Sequence, residues 1–214
     1  MSAQFLLQVL ATTILIISYS RSSVTLIQLN LSGSQAVEAQ SPSAASHRLS
    51  ELEQFRQTVT IGQPGLVTGV FVPDTLALRV VQQPADDPTY VSEMPGYATQ
   101  FMLAEQVGSI GLLAHNYLSG ALFFDLQPGQ VVSMFYGDGS ERRYRVVEIR
   151  RFRAMIPNDP YSNFEDLESG AQLSSTELFY EIYTGVDRVV FQTCISVEHE
   201  PSWGRLFVIA DPLE

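Results

Sequence analysis

The stretch Arg188-Val-Val-Phe-Gln-Thr-Cys-Ile195, followed by Trp203-Gly-Arg-Leu-Phe-Val-Ile-Ala210, decides how this chain is read. Both segments are short, apolar and rich in β-branched and aromatic residues, and a loop containing Pro201 joins them, the pattern of two antiparallel strands. If that loop is centred between His199 and Glu200, symmetric pairing sets Cys194 opposite Arg205, with Cβ atoms roughly 4.5–5.5 Å apart. A thiol then faces a guanidinium. A one-residue slip turns the two side chains to opposite faces instead, and the loop is long enough to permit it.

Further runs of the same kind lie upstream at 66–72, 76–83, 110–115, 130–136 and 143–153, separated by clusters of Gly, Pro, Asp and Asn. A mainly β domain with short helices follows. Gly137-Asp138-Gly139 is placed to turn the 130–136 run into the 143–153 run as a hairpin. Helical pieces are expected at Ser46 to Gln57, where Leu49, Leu52 and Phe55 recur behind a Ser46 cap, at Tyr97 to Glu105, and at Thr176 to Tyr183 behind Ser175. Between Ala154 and Ser175 the chain holds Pro, Asn, Asp and Ser with little apolar periodicity. A loop that long reads either as a substrate lid or as a passive surface excursion.

Towards the N-terminus, the apolar run Phe5 to Ile17 is shorter than the roughly 20 residues of a membrane span. It suits the core of an export signal, with Val37-Glu38-Ala39 as a small-residue cleavage site; joined to the apolar patch Val24 to Leu31, it suits an uncleaved anchor. Both readings place the domain outside the cytoplasm, secreted or on the outer face of the membrane. The expected organisation is a signal peptide or anchor at 1–31, a Ser-, Ala- and Gln-rich flexible linker at 32–46, a helix and lead-in at 47–65 and the main β domain at 66–214.

The chain has 12 basic residues against 23 acidic ones, a formal charge of −11, and this argues against nucleic acid as a partner. Every basic residue is arginine. Arg142, Arg143, Arg145, Arg150, Arg151 and Arg153 crowd one run, as a solvated strand face or as an anion site. One Cys and three scattered His lack metal-ligand spacing, and no Gly-rich phosphate loop is present, so neither a metal nor another cofactor is expected.

In an exported protein a single cysteine is either an inert leftover or a reactive thiol. A cation beside a thiol favours the thiolate, the nucleophilic form. A cysteine nucleophile also needs a proton-transfer partner. His47 falls in the linker segment and its continuation, and His199 falls at a loop tip. His115 ends the apolar run Ile110-Gly-Leu-Leu-Ala114, where a strand enters a loop and functional groups collect. Taken alone, a histidine in that place is more often structural.

Together the strings "GLLAHNYLSG" with His115, "VVFQTCI" with Cys194 and "WGRLFVIA" with Arg205 resemble the sortases. That family's signature is a strand ending Thr-Leu-X-Thr-Cys, an Arg on the next strand and an earlier strand ending Ala-Gly-His or Ala-His. Here Val190-Phe191-Gln192 replaces the Thr-Leu-X part, Ala114 precedes His115 where Gly is usual, and the leader lacks basic residues.

The resemblance implies a closed or nearly closed barrel of about eight strands and a two-step acyl transfer. Cys194 is the implied nucleophile, His115 the acid and base, and Arg205 the oxyanion partner. Around them it implies substrate contacts from Ala114, Asn116, Thr193 and Trp203 beside the motifs, and by location from Met155, Ile156, Pro157 and Tyr161. The implied partners are exported proteins with a C-terminal sorting signal and an amine acceptor, either a cell-wall precursor or a pilin-type lysine. Two other readings compete: a cysteine endopeptidase on the same scaffold, and a noncatalytic exported barrel binding peptide or glycan.

Overall fold

The computed structural model describes residues 44–185 and 187–214. The apolar leader, the cleavage site and residues 32–43 of the expected linker lie outside the described residues. Helix α1 (Ala44–Val59) starts two residues before the expected helix and ends two after it, so Ser46 lies within the first turn instead of capping it. One stripe of α1, Leu52, Phe55 and Val59, packs on Phe71 and Phe135. The Phe55 ring lies 5.8 Å from that of Phe71 and 5.9 Å from that of Phe135. Gly69 leaves the room for this docking, since a Cβ there would come within 2.9 Å of a Val59 methyl.

The remaining elements are β1 (Gln63–Val72), β2 (Leu76–Gln82), β3 (Tyr97–Phe101), α2 (Met102–Gln106), β4 (Ile110–Leu113), a 3₁₀ segment (Ser119–Asp125) and β5 (Val131–Gly137). They continue as β6 (Glu141–Ala154), β7 (Phe164–Asp166), β8 (Gln172–Leu173), α3 (Ser175–Tyr183), β9 (Val189–Val197) and β10 (Glu200–Pro212). The strands hydrogen-bond in the order β10-β9-β4-β3-β2-β1-β5-β6, and β10 also pairs with β6. That last pairing closes eight strands into a barrel and removes the exposed edges an open sheet would carry.

Strand β6 makes the closure possible by its length. Tyr144 pairs with Val132 of β5 on one side and with Pro212 of β10 on the other. Towards its far end Phe152 pairs with Arg205 of β10 and with Asp166 of β7. One edge of β6 therefore follows β10, while the other meets β5 and then β7.

Inside the barrel, Val70, Leu78, Leu112, Phe123, Met134, Tyr144, Phe191 and Val208 form the main core. A second apolar layer lies outside it, where α2 and α3 cover Val190, Phe207 and Ile209 with Ala104, Leu178, Ile182 and Tyr183. Residues alternate between these layers along β9 and β10, as side chains on a pleated strand must.

Several sequence expectations change. Tyr97–Phe101 is a strand, parallel to β2, and only Met102–Gln106 is helical. The 83–96 connection supplies the long crossover that a parallel pair requires. The excursion after Ala154 contains the short strands β7 and β8, and α3 is capped by Ser174, not Ser175, in a reciprocal capping box with Glu177. Three of the six arginines of the run are paired with acids among the described residues. Arg142 pairs with Asp187, Arg150 with Glu148, Asp166 and Glu181, and Arg153 with Glu165, which favours a paired strand face over an anion site.

Candidate active site

The register of the last hairpin puts Arg205 directly across from Cys194. It reaches that register by an unexpected route. The turn is Glu198-His199, with Glu198 at φ 51° and Val197 paired to Glu200. An irregularity between Glu200 and Gly204 then inserts extra residues into β10, so that Gly204 meets Ile195 and Arg205 meets Cys194.

Facing follows from alternation. On β9, Val189 and Phe191 point into the barrel and Val190 points to the outer layer. On β10, Leu206 and Val208 point inward, with Phe207 and Ile209 outward. Cys194 and Arg205 therefore share the outer face, and both are half-buried. Cys194 is a free thiol, and among the described residues its sulfur has no hydrogen-bond partner.

Arg205 is oriented by its surroundings. Its Nη1 donates to the Ser202 carbonyl at 3.1 Å and the Gly204 carbonyl at 2.9 Å, and its guanidinium lies 5.8 Å over the Phe164 ring. Among the described residues it has no carboxylate partner, and its Nε and Nη2 make no hydrogen bond. In a chain this acidic, an unpaired, half-buried guanidinium beside the single thiol retains its capacity for a ligand oxygen.

His115 arrives on the other side of β9. Strand β4 runs parallel to β9 with Leu113 level with Gln192, and the Ala114 amide still donates to the Gln192 carbonyl at 3.2 Å. Continuing that register two residues past the end of β4 brings His115 level with Cys194, neighbouring strands being spaced by roughly 4.8 Å. Leu112 and Ala114 point into the core, so His115 turns to the outer face that carries Cys194. Its ring, half-buried, stacks on Tyr117 with centroids 5.1 Å apart and planes 19° from parallel. His47 sits on α1 beside Glu51, and His199 is exposed at the hairpin turn.

The chain folds tightly under this histidine. The His115 carbonyl accepts from the amides of Leu118 and Gly120, and the Thr193 hydroxyl donates to the Ala114 carbonyl at 2.8 Å. Gly120 lies against both strand ends, with no space for a Cβ between Thr193 Oγ1 and the carbonyls of Ala114 and His115.

The flanking residues separate into two groups. Ala114 and Thr193 are buried and spend their polar groups on each other, so they fix the strand ends and present no side chain to a ligand. Asn116 donates to Ser196 Oγ at 2.6 Å and to the Pro201 carbonyl at 3.0 Å, and is likewise engaged within the fold. Met155, Ile156 and Tyr161 are exposed, and Pro157 and Trp203 are half-buried. The loop carrying the first three is joined to the hairpin turn by Asn158, which donates to Glu200 Oε1 at 3.2 Å.

Three participants escaped sequence reasoning: Tyr117 on His115, Phe164 under Arg205, and Gly120 beneath the strand ends. Only Tyr117 had a signal, its position two residues beyond His115. Phe164 comes from a strand that the sequence pattern does not announce. Among the described residues no group of three or more His, Cys, Asp and Glu is arranged to hold a metal ion.

No family model matches the sequence, and no curated protein matches it. Solved structures to which the chain is similar include sortase A of Listeria monocytogenes, at 14% identity and TM-score 0.45, covering 70% of this chain and 88% of that one. Sortase C-1 of Actinomyces oris is similar at 13% identity and TM-score 0.46, covering 84% of this chain and 85% of that one. The group B Streptococcus pilus island 1 sortase C2 is similar at 14% identity and TM-score 0.46, covering 78% and 96%. The barrel and the meeting of Cys194, Arg205 and His115 rest on this chain's own strand pairing.

Proposed function

We propose that the protein is a sortase-type cysteine transpeptidase, exported and acting at the cell surface. The observation that carries this reading is the three-strand arrangement on one outer face. The only thiol pairs across β9 and β10 with an arginine that has no carboxylate partner among the described residues, while the parallel strand β4 leads to His115 from the other side.

In the first step the Cys194 thiolate, its proton held by His115, adds through Sγ to a peptide carbonyl carbon, and the C=O electrons move to oxygen. Arg205 stabilises that oxyanion through Nε and Nη2, the donors with no hydrogen bond among the described residues. The C–N bond then breaks, protonated His115 gives its proton to the departing amine, and a thioester remains on Cys194. In the second step an incoming amine adds to the thioester carbonyl and loses a proton to His115. Expulsion of the Cys194 thiolate leaves a new amide, so the cycle restores the starting protonation. Stacking on Tyr117 holds the imidazole at the strand end throughout both steps.

The substrates in this reading are exported proteins bearing a C-terminal sorting signal. The acceptor is a cell-wall precursor or a pilin-type lysine. Because the chain has no lysine, it offers no side-chain amine of its own as acceptor. Met155, Ile156 and Tyr161, exposed on the loop beyond β6, with half-buried Pro157 and Trp203, give the apolar contacts for the signal.

The test is product analysis with a sorting-signal peptide library in the presence and absence of a small amine. A peptide-amine conjugate that requires Cys194, His115 and Arg205 supports transpeptidation. Hydrolysis products alone, unchanged by amine, would replace it with an endopeptidase. Turnover that survives Cys194→Ala would remove the thiol from the chemistry.

A further inference from the structure

Asn116 follows His115 directly, and its side chain grips the hairpin that carries the other two groups. Its Nδ2 donates to Ser196 Oγ at 2.6 Å, two residues beyond Cys194, and to the Pro201 carbonyl at 3.0 Å, in the irregular part of β10 ahead of Arg205. Ser196 Oγ also donates to the Pro201 carbonyl, at 3.2 Å. One amide thus ties the histidine segment to both strands of the hairpin.

The need for such a tie is local. Regular pairing of β4 with β9 ends at Leu113, where the partner is Gln192, and the backbone bond from Ala114 is the last of the ladder. Beyond it the chain turns into the 3₁₀ segment, so no strand bond holds His115 level with Cys194. On the hairpin side, β9–β10 pairing is broken between Glu200 and Gly204, and residues 201–203, just ahead of the Gly204–Arg205 pairs, have lost their ladder to β9 as well. The Asn116 amide bridges these two gaps at once. Both of its acceptors are polar groups near the surface, and water would satisfy them at little cost. The contribution of the bridge to global stability is therefore small compared with its effect on where His115 stands.

We infer that Asn116 is a positioning residue that holds the His115 segment in register with Cys194 and Arg205 by clamping the β9–β10 hairpin. This rests on the reading of His115 and Cys194 as a working pair. Removing the two N–H donors frees the 115–118 turn to move away from β9, and Cys194 loses its proton partner without losing its fold. Asn116→Asp is the sharpest variant, because it keeps the shape and sets carboxylate oxygens against the Pro201 carbonyl.

The experiment follows the rate of Cys194 alkylation by iodoacetamide against pH in the full chain, with thermal unfolding of each variant. The proteins are wild type, His115→Ala, Asn116→Ala, Asn116→Asp and Ser196→Ala. His115→Ala sets the profile of a thiol without its partner. The inference expects both Asn116 variants to move at least about threefold from the wild-type rate towards that profile near neutral pH, with melting temperatures lowered only slightly. Ser196→Ala, which leaves the Pro201 contact in place and is the milder change should the Asn116 variants fold poorly, is expected to lie between. Wild-type profiles in both Asn116 variants, alongside a shifted His115→Ala profile, overturn the positioning role and leave the His–Cys pair standing. An unshifted His115→Ala profile overturns both. A shift in the Asn116 variants matched by a large loss of melting temperature, with wild-type behaviour in Ser196→Ala, overturns it in favour of general destabilisation.

Discussion

Gly120→Ala should damage the protein far more than the addition of one methyl suggests. A Cβ at Gly120 would lie 2.3 Å from Thr193 Oγ1, 2.6 Å from the Ala114 carbonyl oxygen and 2.7 Å from the His115 carbonyl oxygen. Two of these are backbone atoms of the segment that carries His115, so no rotamer change relieves the clash. Overpacking by a methyl costs about 1–3 kcal/mol, and pushing the Thr193 hydroxyl off Ala114 adds ~1 kcal/mol. At about 2–4 °C per kcal/mol for a domain of this size, melting should fall by roughly 10 °C. Gly129→Ala is the control, since its Cβ meets nothing within 4 Å and only the backbone at φ 94° is strained, a cost of ~1 kcal/mol. The assay is thermal unfolding by circular dichroism, paired with the alkylation rate of Cys194. Gly120→Ala melting as high as Gly129→Ala, with an unchanged alkylation rate, would refute the idea that Gly120 sets the spacing of the two strand ends.

Three further outcomes are expected. Thr193→Val, nearly isosteric, deprives the buried Ala114 carbonyl of its side-chain donor and should lower the urea midpoint by the equivalent of about 1–2 kcal/mol, while Thr193→Ser, which keeps the hydroxyl, should avoid most of that loss. Burial tends to raise the Asp166 carboxyl, but the hydrogen bonds from Arg150 and the amides of Ser169 and Glu168 outweigh it and bring it down to about 2. A group depressed in this way stabilises the fold above its unfolded value, near 3.8, and that contribution, up to ~2 kcal/mol, is lost as pH falls through about 2. Asp166→Asn should be less stable at neutral pH and lose less on acidification, as read from urea unfolding at about pH 7 and about pH 2. Phe55→Ala, removing the ring that α1 sets against Phe71 and Phe135, should cost about 2 kcal/mol and expose α1 to limited proteolysis before the barrel, with cleavage only after global unfolding as the contrary result.

Much of the fold was legible because strands that are buried on at least one face write their period into the sequence. The runs that became β1, β2, β5, β6, β9 and β10 all carry β-branched residues between turn formers, and all but β2 carry aromatic ones as well. The short elements were not legible. Tyr97–Phe101 reads as helix because it merges with the helical Met102–Gln106, and only its parallel partner β2 makes it a strand. Gln172–Leu173 is too short to show any period.

The pairing of Cys194 with Arg205 shows how a correct register can follow from an incorrect turn. Placing the loop centre between His199 and Glu200 yields the observed partners, although the real turn lies one residue earlier. The irregularity around Pro201, which lacks an amide to donate, makes up the difference. Asn116 and Thr193 stood next to the right residues for a different reason than substrate contact, since adjacency in sequence does not say which side of a strand end faces a ligand. The clamp and the space at Gly120 depend on approaches between segments some 80 residues apart, as between Asn116 and Ser196, and no local pattern encodes them.

The central claim, that Cys194 forms a thioester with a peptide, is tested most directly by intact mass. Purified residues 40–214 are mixed with a library of peptides carrying Leu-Pro-X-Thr-Gly-like signals, with Cys194→Ala alongside. The account predicts an acyl adduct on the wild type alone, discharged by hydroxylamine or an added amine, with its mass identifying the signal. No adduct on either protein, together with a Cys194 that resists alkylation in the folded state, would contradict the account and leave a barrel that binds without catalysis.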